Sequence, residues 1–331
     1  MAKIKIGING FGRIGRRLFR LLHKHPTIEV VAINDKTEGA TLAHLLKYDS
    51  IHGIFDAEIT HIQEGLKVDD SLIALYQEIS PGAIPWHRHK LDLVIEATGK
   101  FKTYDLLKPH LGAGAPKVIL SVPPADDSIK TIVLGVNDFQ IDGTERILSN
   151  ASCTTNNAAP MIKVVNDLCG IKQAYITTVH SYTTDQSLHD QPHPDLRRAR
   201  AAGQSIVPTT TGAAKALTKI FPDLSEVIGG CGIRVPVPNG SLTDLTLNVS
   251  RDTTIEEINE AFQKAAAGSL KNILQYTEVP LVSIDIVGNP HSCIVDSQMT
   301  SVIGNLVKLI GWYDNETGYS SRLIDLILKI S

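Results

Sequence analysis

The 331-residue chain has only four cysteines, Cys153, Cys169, Cys231 and Cys293. So few thiols in so long a chain make no disulfide framework, and no two stand at the C-x-x-C spacing of a zinc or redox motif. A reducing compartment and no structural metal are expected. Charge of one sign is also missing. Lys+Arg of 32 against Asp+Glu of 35 leaves −3, which gives no electrostatic basis for binding nucleic acid or an anionic membrane. Any anion must therefore be held locally. No apolar run approaches the ~18 residues of a membrane helix, and the chain enters an alternating pattern at Lys3 without a charged-then-apolar leader, so a cytoplasmic location is expected. Internal repeats and low-complexity tracts are absent. What the chain does have is 43% hydrophobic residues, enough for a core in each of the two domains expected at ~150 residues apiece.

The first 150 residues are read as a dinucleotide-binding domain. Lys3 to Ile8 alternates like a strand, and the following turn, Gly10-Phe11-Gly12-Arg13-Ile14-Gly15, has the G-x-G-x-x-G spacing. Ile14, Leu18, Leu21 and Leu22 then recur at helical spacing, and a β-branched run from Ile28 to Ile33 ends in Asn34-Asp35. Strand, turn, helix and strand in this order are what the motif needs. Gly10 makes the tight turn, Gly12 lets the backbone approach a pyrophosphate, and Gly15 lets helix and strand pack closely. Amides of Arg13 and Ile14 at the helix start suit the phosphate charge. Asp35, 20 residues after Gly15, stands where a carboxylate can accept from ribose hydroxyls. Apolar runs at 91–97, 118–122 and 131–136 continue the same parallel sheet, which places Thr98-Gly99 and Ser121 at strand ends facing the nicotinamide half.

Past residue 150 the pattern becomes α+β with a mainly antiparallel sheet. Strand-like runs fall at 174–180, 232–237, 242–249, 281–287 and 302–313, and Leu245, Leu247 and Val249 alternate with Thr246 and Asn248. The catalytic domain is expected over 151–314. The segment from Thr317 to Ile330 reads as an amphipathic helix, and 315–331 is expected to pack back on the first domain. Ser181 to Gln204, rich in His, Pro, Asp and Arg, reads as a long functional loop.

One cysteine differs from the others. Cys153 lies in Ser149-Asn150-Ala151-Ser152-Cys153-Thr154-Thr155, just before a helical run, so the first-turn amides and dipole should lower its pKa toward neutrality and make it a nucleophile. Cys169, Cys231 and Cys293 read instead as small buried hydrophobes. His180 closes a strand and is a candidate general base. Thr183, Arg198, Arg234 and the Thr209-Thr210-Thr211-Gly212 turn could gather around a phosphate.

With these motifs in order, the chain resembles the phosphorylating glyceraldehyde-3-phosphate dehydrogenases over nearly its whole length. The strings that carry the likeness are Gly7-Ile8-Asn9-Gly10-Phe11-Gly12-Arg13-Ile14-Gly15-Arg16, Ala151-Ser152-Cys153-Thr154-Thr155-Asn156, Pro208 to Lys215, Arg234-Val235-Pro236 and Trp312-Tyr313-Asp314-Asn315-Glu316. The resemblance implies oxidation and phosphorylation of glyceraldehyde 3-phosphate, with NAD as cofactor and inorganic phosphate as co-substrate. Cys153 would form the thiohemiacetal and thioester, with His180 as its base. Thr183 and Arg234 would hold the substrate phosphate, Ser152, Thr154, Thr211 and Gly212 the attacking phosphate, and Arg198 would stand between them. Asn315 would fix the nicotinamide carboxamide and Tyr319 would pack near the ring. A homotetramer is implied, with the Ser181–Gln204 loop against a neighbouring subunit.

Three departures stand out. Asn157 replaces a frequent second cysteine, Thr317 replaces a common tryptophan, and Ile79 lies where an arginine often meets the adenine. Asp35 and Pro192 favour NAD, while Lys36 leaves NADP as the weaker option. The alternatives are an erythrose-4-phosphate dehydrogenase, against which the Thr211-Gly212-Ala213-Ala214-Lys215 string argues, and a non-catalytic dinucleotide sensor. An additional interaction role has no support in the charge pattern.

Overall fold

A computed structural model describes residues 3–331, which fall into two compact units. The first unit runs to Ile132 and includes Phe139–Ala151 and Ser320–Ser331; the second comprises Val133–Asp138 and Ser152–Tyr319. The short piece Val133–Asp138 lies inside the segment assigned by sequence to the first domain. It groups with the second unit because Gly135 packs directly on Leu270 and Ile273.

The first unit is built on a nine-stranded sheet. Its parallel part runs in the order Lys130–Thr131, Ile147–Ser149, Val118–Leu120, Leu93–Glu96, Ile4–Asn9, Ile28–Asn34 and Ser71–Tyr76. Ile6, Ile8, Ile33, Val94 and Ile95 are fully buried, as the near-continuous apolar runs of a sheet covered on both faces require. An antiparallel extension of Gly65–Val68 and Ile59–Ile62 completes the edge; the sequence reading does not anticipate it, because each strand is only four residues long. The run at 131–136 is also corrected. Pairing stops at Thr131, and the chain then turns, with Asn137 Oδ1 accepting from Val133 N (2.7 Å) and Gly135 at φ +76°.

The second unit has an eight-stranded sheet in which antiparallel pairing dominates. Its spine is Ile228–Val235, Ile171–Ser181, Ser241–Val249 and Leu306–Tyr313. Burial alternates strictly along Ser241–Val249, the signature of a sheet with one covered face. The helix Cys153–Cys169 lies against this sheet, burying Ala158, Met161, Ile162 and Val165, and it ends at Gly170 with φ +66°. Two expected strands are corrected. Residues 281–287 form successive turns in which Asp285 Oδ2 accepts from Val282 N, and the run 302–313 is broken into a hairpin, Ser301–Ile303 against Leu306–Tyr313, around Gly304 at φ +57°. The closing helix spans Thr317–Ile330, and Lys117 donates to Ile330 O within the first unit.

No described helix is long and apolar enough to cross a membrane.

Candidate active site

In the first unit the glycine turn has the shape its spacing called for. Gly10 adopts φ +95°, and a Cβ there would lie 2.6 Å from Thr98 N; one on Gly15 would lie 2.2 Å from Gly10 O. Only glycine fits either position. A Cβ on Gly12 would instead project into open space. The helix Arg13–Leu22 starts there with no side chain capping its amides and no acid in its first turn, which suits a diphosphate. The Arg13 guanidinium is engaged with Asp49 at 2.6 Å. Asp35 is half-exposed, and its carboxylate accepts from Phe11 N (2.8 Å) and Thr37 N (2.9 Å). These bonds tie the acid to the turn and leave lone pairs for further donors. Ser121 is buried just beyond Val118–Leu120, its amide donating to Glu96 O. The donor set and the opening at Gly12 fit a dinucleotide.

In the second unit Cys153 is the first residue of its helix. Ser152 caps that helix, its hydroxyl accepting from Thr155 N at 3.1 Å. The strand Ile171–Ser181 delivers His180 to the same place, with Nε2 3.5 Å from Cys153 Sγ. On the other side of the ring, Nδ1 lies 2.7 Å from Ser181 O, and Arg234 Nη1 lies 3.0 Å from the same oxygen. Arg234 Nη1 is also 2.9 Å from Nδ1. A carbonyl oxygen can only accept, so the 2.7 Å contact with Ser181 O, shorter than the one with Arg234, sets the imidazole hydrogen on Nδ1, and the Arg234 guanidinium donates to the same carbonyl rather than to the ring. The Nε2 lone pair then faces the thiol.

Burial, with the Arg234 charge second, pushes His180 down to about 3, so at neutral pH it is an uncharged base. The sequence reading expected a thiol pKa below the ordinary value. Here burial pushes the Cys153 thiol up, against the opposing pull of Arg234 and of the Thr154 amide. The resting pair is neutral thiol and neutral imidazole. Cys231 is half-buried and Cys169 and Cys293 are buried; all three are free thiols.

The anion-binding candidates gather around this pair unequally. Arg234 Nη1 reaches Thr183 Oγ1 at 3.5 Å. Arg198 is held by Asp185 (2.6 Å), Thr209 Oγ1 (3.0 Å) and Thr210 O (3.2 Å), and its charge is felt at both His180 and Arg234. The loop at 182–206 has neither helix nor strand, and Arg198 and Asp195 are among the residues that tie it down. Thr211 Oγ1 accepts from Ala213 N, and Gly212 opens the helix Ala213–Ile220 with clear space where a Cβ would be. Thr154 is turned inward, its hydroxyl 2.9 Å from that of Tyr313.

Asn315 Oδ1 accepts from Ser181 Oγ (2.9 Å), Ser241 Oγ (3.1 Å) and Gly240 N (3.3 Å). Three donors settle its amide orientation and present the NH2 on the other side. Tyr319 and Thr317 are both buried, and Thr317 N donates to Asp314 Oδ1. Asn157 Nδ2 donates to the carbonyls of Ser292, Gly311 and Trp312, at 3.1–3.3 Å. The sequence reading missed Tyr313. Its hydroxyl bridges Thr154 and Thr178, and its ring stands edge-on to His180 at 6.0 Å; the only signal was its place in the Trp312–Glu316 string. Among the described residues no group of His, Cys, Asp and Glu is arranged to hold a metal.

Comparison with known proteins gives a consistent result. Residues 4–104 match the family model of the glyceraldehyde 3-phosphate dehydrogenase NAD binding domain, and residues 152–315 match that of its C-terminal domain. The chain is 53% identical over 330 residues to glyceraldehyde-3-phosphate dehydrogenase 2 of Streptomyces avermitilis, covering 99% of this chain and 98% of the relative. It is 50% identical over 331 residues to glyceraldehyde-3-phosphate dehydrogenase of Mycobacterium leprae, covering 98% and 97%. The Mycolicibacterium smegmatis protein of that name is 50% identical over 340 residues, covering 99% and 98%.

Proposed function

The chain belongs to the glyceraldehyde 3-phosphate dehydrogenase family, and from that premise we propose that Cys153 and His180 carry an NAD-dependent oxidation and phosphorylation of glyceraldehyde 3-phosphate to 1,3-bisphosphoglycerate. The observation behind this assignment is the 3.5 Å approach of His180 Nε2 to Cys153 Sγ, with the lone pair facing the thiol.

Sγ adds to the aldehyde carbon while Nε2 takes the thiol proton and passes it to the former carbonyl oxygen, giving a thiohemiacetal and returning His180 to its uncharged form. NAD, when bound, supplies the acceptor for the hydride whose loss makes this adduct a thioester. His180 takes the hydroxyl proton in that oxidation, which an uncharged imidazole can do. Inorganic phosphate then attacks the thioester carbon and expels the Cys153 thiolate. Two anions need two cradles. We assign Arg234 and Thr183 to the substrate phosphate, and Ser152, Thr211 and Gly212 to the attacking one. Thr154 is assigned to the attacking phosphate's site through its backbone, since its hydroxyl is engaged with Tyr313. Arg198 is assigned to a place between the two cradles, where a guanidinium can serve either ion.

For the cofactor we assign the Gly10 and Gly12 turn, the amides of Arg13 and Ile14, Asp35, Ser121, Asn315 and Tyr319. NAD is preferred to NADP because the Asp35 carboxylate repels an added 2′-phosphate. A cytoplasmic location agrees with four free thiols. A homotetramer accounts for the solvent exposure of Leu188 (79%) and Leu196 (82%) on an otherwise polar loop of the isolated chain.

The test is NADH formation from glyceraldehyde 3-phosphate and NAD, with and without phosphate. Turnover that requires phosphate and disappears in Cys153→Ser is expected, while His180→Asn should slow it by about 10²–10⁴-fold. Turnover indifferent to phosphate, or persisting in Cys153→Ser, would overturn the assignment.

A further inference from the structure

A second set of buried polar groups lies in the first unit. Glu96 ends the strand Leu93–Glu96 and is completely buried. Its Oε1 accepts from Thr98 N at 2.9 Å and from Thr98 Oγ1. Its Oε2 accepts from Asn9 Nδ2 at 2.5 Å and contacts His110 Nε2 at 3.1 Å. The His110 tautomer follows from its other neighbour. Trp86 Nε1 lies 2.9 Å from His110 Nδ1, and an indole N–H only donates, so Nδ1 accepts and Nε2 carries the hydrogen directed at Glu96. All four partners of the carboxylate are therefore donors.

The set extends sideways across the ends of three parallel strands. Asn34 Nδ2 donates to Asn9 Oδ1 (2.8 Å) and to Glu78 O (3.0 Å), and Asn34 Oδ1 accepts from Glu78 N (2.8 Å). Asn9, Asn34, Glu96 and His110 are each at most 3% exposed. A polar network buried this deeply is costly unless every member is satisfied. Satisfied, it leaves little freedom to the backbone it holds.

What it holds is the roof of the glycine turn. Gly10 N donates to Asn34 O, and Ala97 N donates to Asn9 O. The space beside the Gly10 Cα is filled by Thr98 N, 2.6 Å from where a Cβ would stand, and Gly99 follows at φ +68°. Glu96 grips both the amide and the hydroxyl of Thr98, so it sets how the Thr98-Gly99 turn lies against Gly10. We propose that Glu96 is a positioning residue for the dinucleotide: through Asn9, Thr98 and His110 it preorganises the glycine turn and the Thr98-Gly99 turn, and it touches no ligand itself. The proposal rests on the dinucleotide reading of that turn.

The test measures binding of NADH by the enhancement of its fluorescence on the full chain, for wild type, Glu96→Gln and Thr98→Val. A glutamine places an NH2 against one of two pairs of donors, so its dissociation constant for NADH should rise about tenfold or more. Thr98→Val removes one donor of the four and should raise it less, by about threefold. Alkylation of Cys153 by iodoacetamide should stay unchanged in both variants, since the thiol belongs to the other unit. A purely structural role would lower the thermal midpoint and leave the dissociation constant of the folded protein as it was. Constants within about twofold of wild type in a folded Glu96→Gln would overturn the proposal; if that variant does not fold, the same result in Thr98→Val would do so. A wild-type chain that fails to bind NADH would remove the dinucleotide reading and this proposal together.

Discussion

Acid should unfold this protein through His180, and the size of the effect can be worked out. In the unfolded chain an imidazole has a pKa near 6.5, whereas in the fold burial and the Arg234 charge push His180 down to about 3. Between these values the unfolded state holds the extra proton. The stability contributed by a neutral His180 is thus complete above pH 6.5 and is lost as pH falls toward 3, at about 1.4 kcal/mol per pH unit. Lowering the pH from 7 to 4 should cost up to about 3 kcal/mol, a large share of the ~5–15 kcal/mol that holds a typical domain. Carboxylates titrate over the same range, so the measurement must be a difference. Urea unfolding of wild type and His180→Asn, at one fixed protein concentration from pH 7.5 to 4, cancels every group common to both. The wild type should lose up to about 3 kcal/mol more than the variant. Parallel profiles would mean that His180 takes up a proton as easily in the fold as outside it, and the uncharged base assigned to it would have no basis.

Two further outcomes follow from the same geometry. Alkylation of Cys153 by iodoacetamide should rise with pH around a midpoint above the ordinary thiol value of ~8.5, without a plateau at neutral pH. Arg234→Leu should move that midpoint higher, because Arg234 is the charge that favours the thiolate; a plateau extending down to pH 6 would instead reveal a preformed thiolate–imidazolium pair. Asn157→Ala removes the donor shared by the carbonyls of Ser292, Gly311 and Trp312. It should lower stability by about 1–3 kcal/mol in thermal or urea unfolding while the alkylation rate stays the same. No loss of stability would show that those carbonyls find other donors.

Several local features were legible from residue order. The G-x-G-x-x-G turn was readable because its requirements are local: Gly10 must adopt a left-handed φ, Gly15 must have no Cβ and Gly12 must leave room, and each is a property of one residue. The alternation along 242–249 gave its strand for the same reason, since the side chains of a strand change face at every residue. Residues 281–287 looked equally apolar and became turns, with Val282 (58%) and Ile284 (70%) largely in solvent. The segment alternates as a strand would, Val282-Ser283-Ile284-Asp285-Ile286, but Asp285 accepts from Val282 N and closes a turn instead. The strands at 59–62 and 65–68 were unreadable because four residues are too few to establish a period, although tight turns join them in register to each other and to Ser71–Tyr76.

The candidate site divides along the same line. Residue type and position by themselves determined that a cysteine would begin a helix, that a histidine would end a strand, and that hydroxyls, guanidinium groups and glycines suited to anions stood in the right segments. Chain folding alone decided that Sγ and Nε2 would lie 3.5 Å apart across 27 residues of sequence. It also decided that the Ser181 carbonyl would select the imidazole tautomer and that the thiol would sit where burial outweighs the Arg234 charge and the Thr154 hydrogen bonds. Desolvation depends on everything packed around a group, and the hydrogen bonds that settle a proton's place come from whatever backbone is nearest in space. The first is no property of the residues on either side in sequence, and the second, although it comes here from the next residue, Ser181, depends on the backbone and ring conformation that the fold imposes. For that reason the chemistry could be named from the order of residues, while its protonation states had to await the fold.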